Sequence, residues 1–83
     1  MPLYIDVHTM DGGVSAEDVA GAHAKDLEHQ QDHGVDFKQY WVDEKQGKIF
    51  CLVEAPSPDA AVTVHREAHG LVPDEIYEVK EGS

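Results

Sequence analysis

The order in which strand-like and helix-like hydrophobic patterns follow one another restricts the fold of this chain more than any other feature. The run PLYIDVHT alternates between apolar and polar side chains, as a half-buried strand does. A helix follows over residues 15–34, then a hairpin with strands at about 35–43 and 48–55, a helix over 57–70 and the short strand DEIYEV. This β-α-β-β-α-β order predicts one ferredoxin-like α+β domain over residues 1–83, with both helices on one face of an antiparallel sheet.

Serine, proline and glycine mark the ends of the two helices. Ser15 and Ser57 stand where a side-chain oxygen can cap the first turn, and Pro58 occupies a first helical position. Gly34 and Gly70 are expected to end the helices in the left-handed conformation. The first helix should therefore run for about five turns.

Strand one also predicts which side of the sheet is covered. We expect the apolar side chains of this strand to lie beneath the helices, namely Leu3, Ile5 and Val7. The alternate side chains should face away from the helices, namely Tyr4, Asp6 and His8. The second strand adds to the outward face either Phe37, Gln39 and Trp41 or Tyr40 and Val42. Because large side chains on an uncovered face form an apolar patch, a homodimer is expected.

The charge of the chain narrows the choice of partner. Seventeen acidic residues against six lysines and arginines give a net charge of -11, which repels nucleic acid and anionic membranes. The same field attracts cations, and six histidines offer nitrogen ligands. The single cysteine, Cys51, excludes an internal disulfide, and MPLYIDVH lacks a signal-peptide pattern, so we expect a cytoplasmic protein.

Two histidine pairs share the pattern H-x-x-x-H-G, as HQQDHG at 29–34 and HREAHG at 65–70. Side chains four residues apart lie on one helix face, so His65 and His69 can reach one metal ion. Histidines in a last helical turn can instead interact with the helix dipole. Arg66 stands where a zinc protease has its glutamate, and Glu67 is turned away by about 100°, which leaves Glu67 as a nearby carboxylate rather than a general base.

His23 has two interpretations. It falls on the predicted buried stripe of the first helix, together with Ala16, Val19, Ala20 and Leu27, where a hydrogen-bonded core histidine is common. Alternatively, His23 and Asp26 meet His65 across the helix pair and form a mixed imidazole and carboxylate site.

Other candidate side chains lie on the strands. His8 and Asp6 share a strand face and are either polar residues of a dimer interface or part of a site. Cys51 is expected to be a small buried hydrophobe, and Tyr40 and Trp41 core or interface aromatics.

Three classes of function remain open on these patterns. The chain lacks G-x-S-x-G, Walker and C-x-x-C motifs, so covalent catalysis has no positive argument. A metal-binding protein is the leading hypothesis. The alternatives are a small enzyme or small-ligand-binding protein that uses histidines as acid and base, and a structural module in which the histidines are incidental.

The chain resembles a family of small bacterial nickel-responsive proteins, formerly a domain of unknown function. Four stretches carry the resemblance: DVHTMDG, SAEDVAGAHAKDLEHQ, GVDFKQYWVDEKQGKIFCLVEAP and VHREAHGLVPDEIYEV. The resemblance implies a ferredoxin-like homodimer that binds Ni²⁺ at its surface and sequesters or detoxifies it. The candidate ligands that fall in matching stretches are His65, His69, His23 and His8. The metal-binding hypothesis adds Asp26, Glu67 or Asp6 as candidate carboxylate ligands. Imidazole suits nickel, zinc and copper alike, so nickel follows from the resemblance and not from the ligands.

Overall fold

The computed structural model describes residues 1–82, and its elements follow the predicted order. They are β1 (Leu3–Thr9), α1 (Ala16–His29), a 3-10 helix (Gln30–His33), β2 (Asp36–Asp43), β3 (Lys48–Glu54), α2 (Pro58–Ala68) and β4 (Glu75–Val79). The strands form one antiparallel sheet in the order β2-β3-β1-β4. The predicted ferredoxin-like α+β fold is confirmed.

Both helices begin where their capping serines predict. The Ser15 hydroxyl accepts a hydrogen bond from a backbone N–H of α1, and the Ser57 hydroxyl does the same in α2. The five-turn first helix is wrong in its last part, because α1 ends at His29 and a 3-10 helix leads on to Gly34. Gly34 has φ +66, and its N–H donates to the backbone carbonyls of Gln30 and Gln31. The tighter 3-10 turn therefore satisfies carbonyl groups that the end of an α-helix leaves without a hydrogen bond.

The helices cover the opposite face of β1 from the predicted one. The buried core joins Tyr4 to Val19 of α1 and Val64 of α2, and Asp6 and His8 are buried on the same side. Leu3 and Ile5 therefore lie on the outer face. The prediction ranked the two faces by hydropathy alone, whereas ionisable side chains can be buried when they are paired with one another.

A β-bulge in β2 decides which of its aromatic side chains enter the core. The pairing with β3 shifts between Phe37 and Gln39, so Lys38 is an extra residue in the ladder. Phe37 and Tyr40 consequently face the helices together, while Gln39 and Trp41 face outward. Neither of the two predicted sets is correct, because strict alternation does not hold across a bulge.

Large apolar side chains remain uncovered on the outer face of the sheet. Trp41 is 47% exposed and Tyr77 is 51% exposed, and cross-strand pairing places both in rows with apolar neighbours of β1 and β3: Ile5, Phe50 and Leu52. This face is the outer surface of the molecule, away from both helices.

The buried stripe of α1 is also rotated from the predicted one. Val19 and Asp26 are its buried residues, whereas Leu27 is 43% exposed and Ala16 and Ala20 lie in solvent. The rotation turns the Asp26 carboxylate towards α2. Within residues 1–82, neither helix is long and apolar enough to cross a membrane.

Candidate metal centre

The buried imidazole of His65 lies between two carboxylates from different elements. Its Nε2 is 2.8 Å from Asp6 Oδ2 of β1, and its Nδ1 is 2.9 Å from Asp26 Oδ1 of α1. His65 is 1% exposed and Asp6 is fully buried. Strand β1 and helix α1 thus both contact one side chain of α2.

Both ring nitrogens of His65 face carboxylate oxygens, so both carry a hydrogen and donate, and the ring is an imidazolium. Burial alone would lower the pKa of His65, but the hydrogen bonds to Asp26 and Asp6 outweigh it and raise the pKa to about 9. Burial would raise the pKa of Asp6, but the interactions with His65 and His8 lower it below its usual range. The pair therefore carries full charges inside the protein.

His69 approaches the same carboxylate from the end of α2. Its Nε2 lies 3.0 Å from Asp26 Oδ1 and 3.3 Å from His65 Nδ1. Its Nδ1 accepts a 3.1 Å hydrogen bond from the N–H of Leu71, so the neutral ring carries its hydrogen on Nε2. The chain can return in this way because Gly70 takes φ +80. Burial, reinforced by the His65 charge, lowers the pKa of His69.

His8 and Cys51 belong to a second, deeper group around Asp6 and His65. His8 Nε2 is 3.2 Å from Asp6 Oδ1 without hydrogen-bond geometry, and its ring stands edge-on to His65 with centroids 4.8 Å apart. Burial, together with the Asp6 charge, raises the pKa of the Cys51 thiol, so the thiol stays protonated. An ion bound here would have to displace that proton, so in the metal-free protein we describe this group as a buried polar network.

The structure places the other candidates apart from these groups. His23 is half-buried and packs against the Tyr40 ring with centroids 4.7 Å apart. Glu67 pairs with His33 at 2.8 Å. His29 Nδ1 lies 2.9 Å from a backbone carbonyl of α1, so in the first H-x-x-x-H-G copy the two rings are directed to different partners.

Asp26, His65 and His69 bring three potential ligand atoms together, and we call this set the three-donor centre. Its atoms are separated by 2.9, 3.0 and 3.3 Å. Neighbouring ligands of an octahedral ion with bonds of about 2.1 Å lie about 3.0 Å apart. The donor spacing therefore fits one face of such a coordination sphere, and imidazole with carboxylate suits divalent transition metals.

A cavity of about 190 Å³ lies beside the three-donor centre, between the sheet and α1. All three residues of the centre line it, as do His8 and His23. Its remaining walls are mainly apolar, from Met10, Val14, Val19, Ala22, Ile49 and Leu71. Because Leu71 is also exposed, the cavity opens to solvent next to the loop that follows α2.

Sequence reasoning placed Asp6 on the wrong face of the sheet and missed the part played by Phe37. Asp6 was assigned to the outer face, although it is the buried partner of His65, and the Phe37 ring packs against His65 with centroids 4.7 Å apart. An aspartate between apolar residues in YIDVH was the available signal, since an acid in a central strand needs a buried cation. The bulge that turns Phe37 inward leaves no comparable mark in the sequence.

Comparison with known proteins gives two matches of nearly full length. The family model described as "Nickel responsive protein SCO4226-like" matches residues 4–79. The crystal structure of SCO4226 from Streptomyces coelicolor A3(2) is 38% identical, with a TM-score of 0.90, and the match covers 98% of this chain and 99% of that one. No curated protein matches the chain significantly.

Proposed function

Since this chain belongs to the SCO4226-like family of nickel responsive proteins, we propose that it binds Ni²⁺ at the three-donor centre and holds the ion out of solution. The observation that carries the proposal is the convergence of Asp26, His65 and His69 at separations suited to one ion. The charge of -11 supports it, because an acidic surface raises the local concentration of cations.

Nickel binding at this centre competes with protons. In the metal-free protein His65 Nδ1 and His69 Nε2 both donate to Asp26. Before these nitrogens can bind an ion, the His65 imidazolium must release a proton, and the neutral His69 ring must move its hydrogen to Nδ1 and give up the bond from the N–H of Leu71. Asp6 would keep its hydrogen bond to His65 Nε2 and hold the ring in place, as outer carboxylates commonly do for metal-bound histidines. The affinity is therefore expected to rise with pH.

The choice of nickel comes from the family, and the ligand types alone would also accept zinc and copper. Three protein ligands leave coordination positions for water on the side of the cavity. A site that retains such positions, and whose neighbouring Cys51 thiol is kept protonated by burial, suits storage or buffering of an ion better than catalysis. Sequestration is accordingly the role that we propose for this protein.

The proposal includes a homodimer formed through the outer face of the sheet. The exposed side chains of Trp41 and Tyr77 support this dimer, because covering large apolar side chains with a second copy removes them from water and lowers the free energy. This arrangement leaves the helices, and the three-donor centre between them and the sheet, on the outer sides of the dimer.

Calorimetric titration of the metal-free protein with nickel at about pH 7.5 tests the metal site. The variant is His69→Ala. The matched control is His33→Ala, which removes an imidazole at the end of the 3-10 helix that follows α1. We expect the parent and the control to bind alike and His69→Ala to bind at least about tenfold more weakly. Equal binding by all three proteins would refute the site.

His65→Ala is a poorer choice for this test. It would leave the carboxylates of Asp6 and Asp26 buried without their common cation, at a cost of about 3–5 kcal/mol. Loss of binding could then reflect unfolding. His69 is only partly buried and its ring is neutral, so His69→Ala keeps the ion pairs that stabilise the fold, which a thermal melt of each variant can verify.

A further inference from the structure

The cavity beside the three-donor centre has the size of a small organic molecule. Its volume is about 190 Å³, whereas an apolar protein cavity of about 150 Å³ is known to hold benzene. One six-membered ring with a short arm would therefore fill it. Val19 and Ala22 of α1 form one wall, and Tyr40 and Ile49 of the sheet face them.

The charged groups of the cavity favour a cation. Among residues 1–82, its lining includes the carboxylates of Asp18 and Asp26 against one cationic side chain, the His65 imidazolium, and neither lysine nor arginine. His65 and His69 both direct their N–H groups at Oδ1 of Asp26, which leaves Oδ2 out of those two bonds. Tyr40 adds an aromatic ring to the wall, against which the apolar part of a ligand can pack.

We propose that the cavity binds a small organic ammonium ion whose apolar part is about the size of one ring. Its ammonium group donates to Asp26 Oδ2, and its apolar part lies between α1 and the sheet, against Ala22 and Tyr40. A bare metal ion uses only the three donors at one end of the cavity, and the apolar walls have no role in holding it. This binding goes beyond the nickel proposal and does not require nickel.

Benzylamine is the probe, and benzyl alcohol is its uncharged counterpart of nearly the same shape. Chemical shifts of the backbone amides would be followed as each is added to the metal-free protein, with a chelator present. We expect saturable shifts around the cavity with benzylamine and at least about tenfold weaker binding of benzyl alcohol. Absence of benzylamine binding, or equal binding of the two compounds, would overturn the proposal.

Two alanines of α1 provide a matched pair of variants. Ala22 lines the cavity and Ala20 is exposed on the same helix, so Ala22→Leu fills the cavity while Ala20→Leu adds the same bulk outside it. Ala22→Leu should weaken benzylamine binding at least about tenfold, and Ala20→Leu should leave it unchanged. Equal effects of the two variants would contradict a cavity site.

Nickel titration of Ala22→Leu separates this proposal from the nickel site. The substitution leaves Asp26, His65 and His69 in place, so nickel binding should persist while benzylamine binding falls. If benzylamine binds the parent and nickel does not, the cavity site stands alone. If nickel binds and benzylamine does not, the cavity proposal fails and the metal proposal is retained.

Discussion

His65 differs from an ordinary surface histidine because its two nitrogens face two buried carboxylates. A helix end could offer the same residue to solvent, where its ring would be largely neutral at pH 7. Here the flanking charges keep the proton on the ring, and the imidazolium in turn allows Asp6 and Asp26 to be buried. The same side chain therefore stabilises the fold and, once it has lost a proton, can bind a metal.

We expect the stability of the metal-free protein to fall as the pH rises from about 6.5 to about 9. The pKa of His65 is about 9 in the folded protein and about 6.5 in the unfolded chain, so its contribution is complete below the lower value and is lost through the higher one. The contribution is about 3 kcal/mol. Urea unfolding across this range measures it, and a ring pKa near 6.5 by NMR in the folded protein would contradict it.

At the scale of elements, the turn between β2 and β3 fixes the loop that leads into α1. The N–H of Met10 donates to the Gly47 carbonyl at 2.7 Å, and the Glu44 side chain accepts from the N–H of Ala16 at 2.9 Å. Gly47 has φ +68, and a β-carbon there would overlap the Met10 carbonyl. Close backbone contact, rather than the turn type alone, therefore requires glycine at this position.

Gly47→Ala is predicted to destabilise the protein by about 2–4 kcal/mol, because it adds a steric clash to the strain of a positive φ. Gly12→Ala is the control, since Gly12 has φ +85 but no atom within 4 Å of the added methyl group, and it should cost about 1–2 kcal/mol. Urea unfolding compares the two variants. Equal losses would mean that the packing of the turn against Met10 contributes little.

At the scale of the whole molecule, the covered and uncovered faces of the sheet differ in kind. The covered face carries charged groups that are paired with the helices, and the outer face carries unpaired apolar groups such as Ile5, Trp41 and Tyr77. An apolar outer face of this sort is typical of a surface that associates. The proposed dimer interface and the proposed metal site therefore lie on opposite sides of one sheet.

Trp41→Glu should convert the proposed dimer into a monomer, since it places a charge within an apolar interface. Leu27→Glu makes the same change at a similarly exposed position of α1, on the other side of the molecule, and should leave the dimer intact. Light scattering coupled to gel filtration gives the two masses. A monomeric parent, or a dimer that survives Trp41→Glu, would rule out this interface.

The sequence by itself determined the order of the elements, the serine caps and the left-handed glycines that follow the two helical segments, because period and capping act over a few neighbouring residues. It also gave His65, His69 and Asp26 as candidate ligands, within a larger set that included His8, His23 and Glu67. Only the tertiary structure decided that Asp6 and His8 lie under the helices, that a bulge turns Phe37 inward, and that the first histidine pair is directed to other partners. The first of these outcomes depends on pairing between charges 39 to 59 residues apart, which can reverse the side that hydropathy alone would bury. The bulge and the partners of the first histidine pair likewise depend on the packed chain, which a local pattern does not encode.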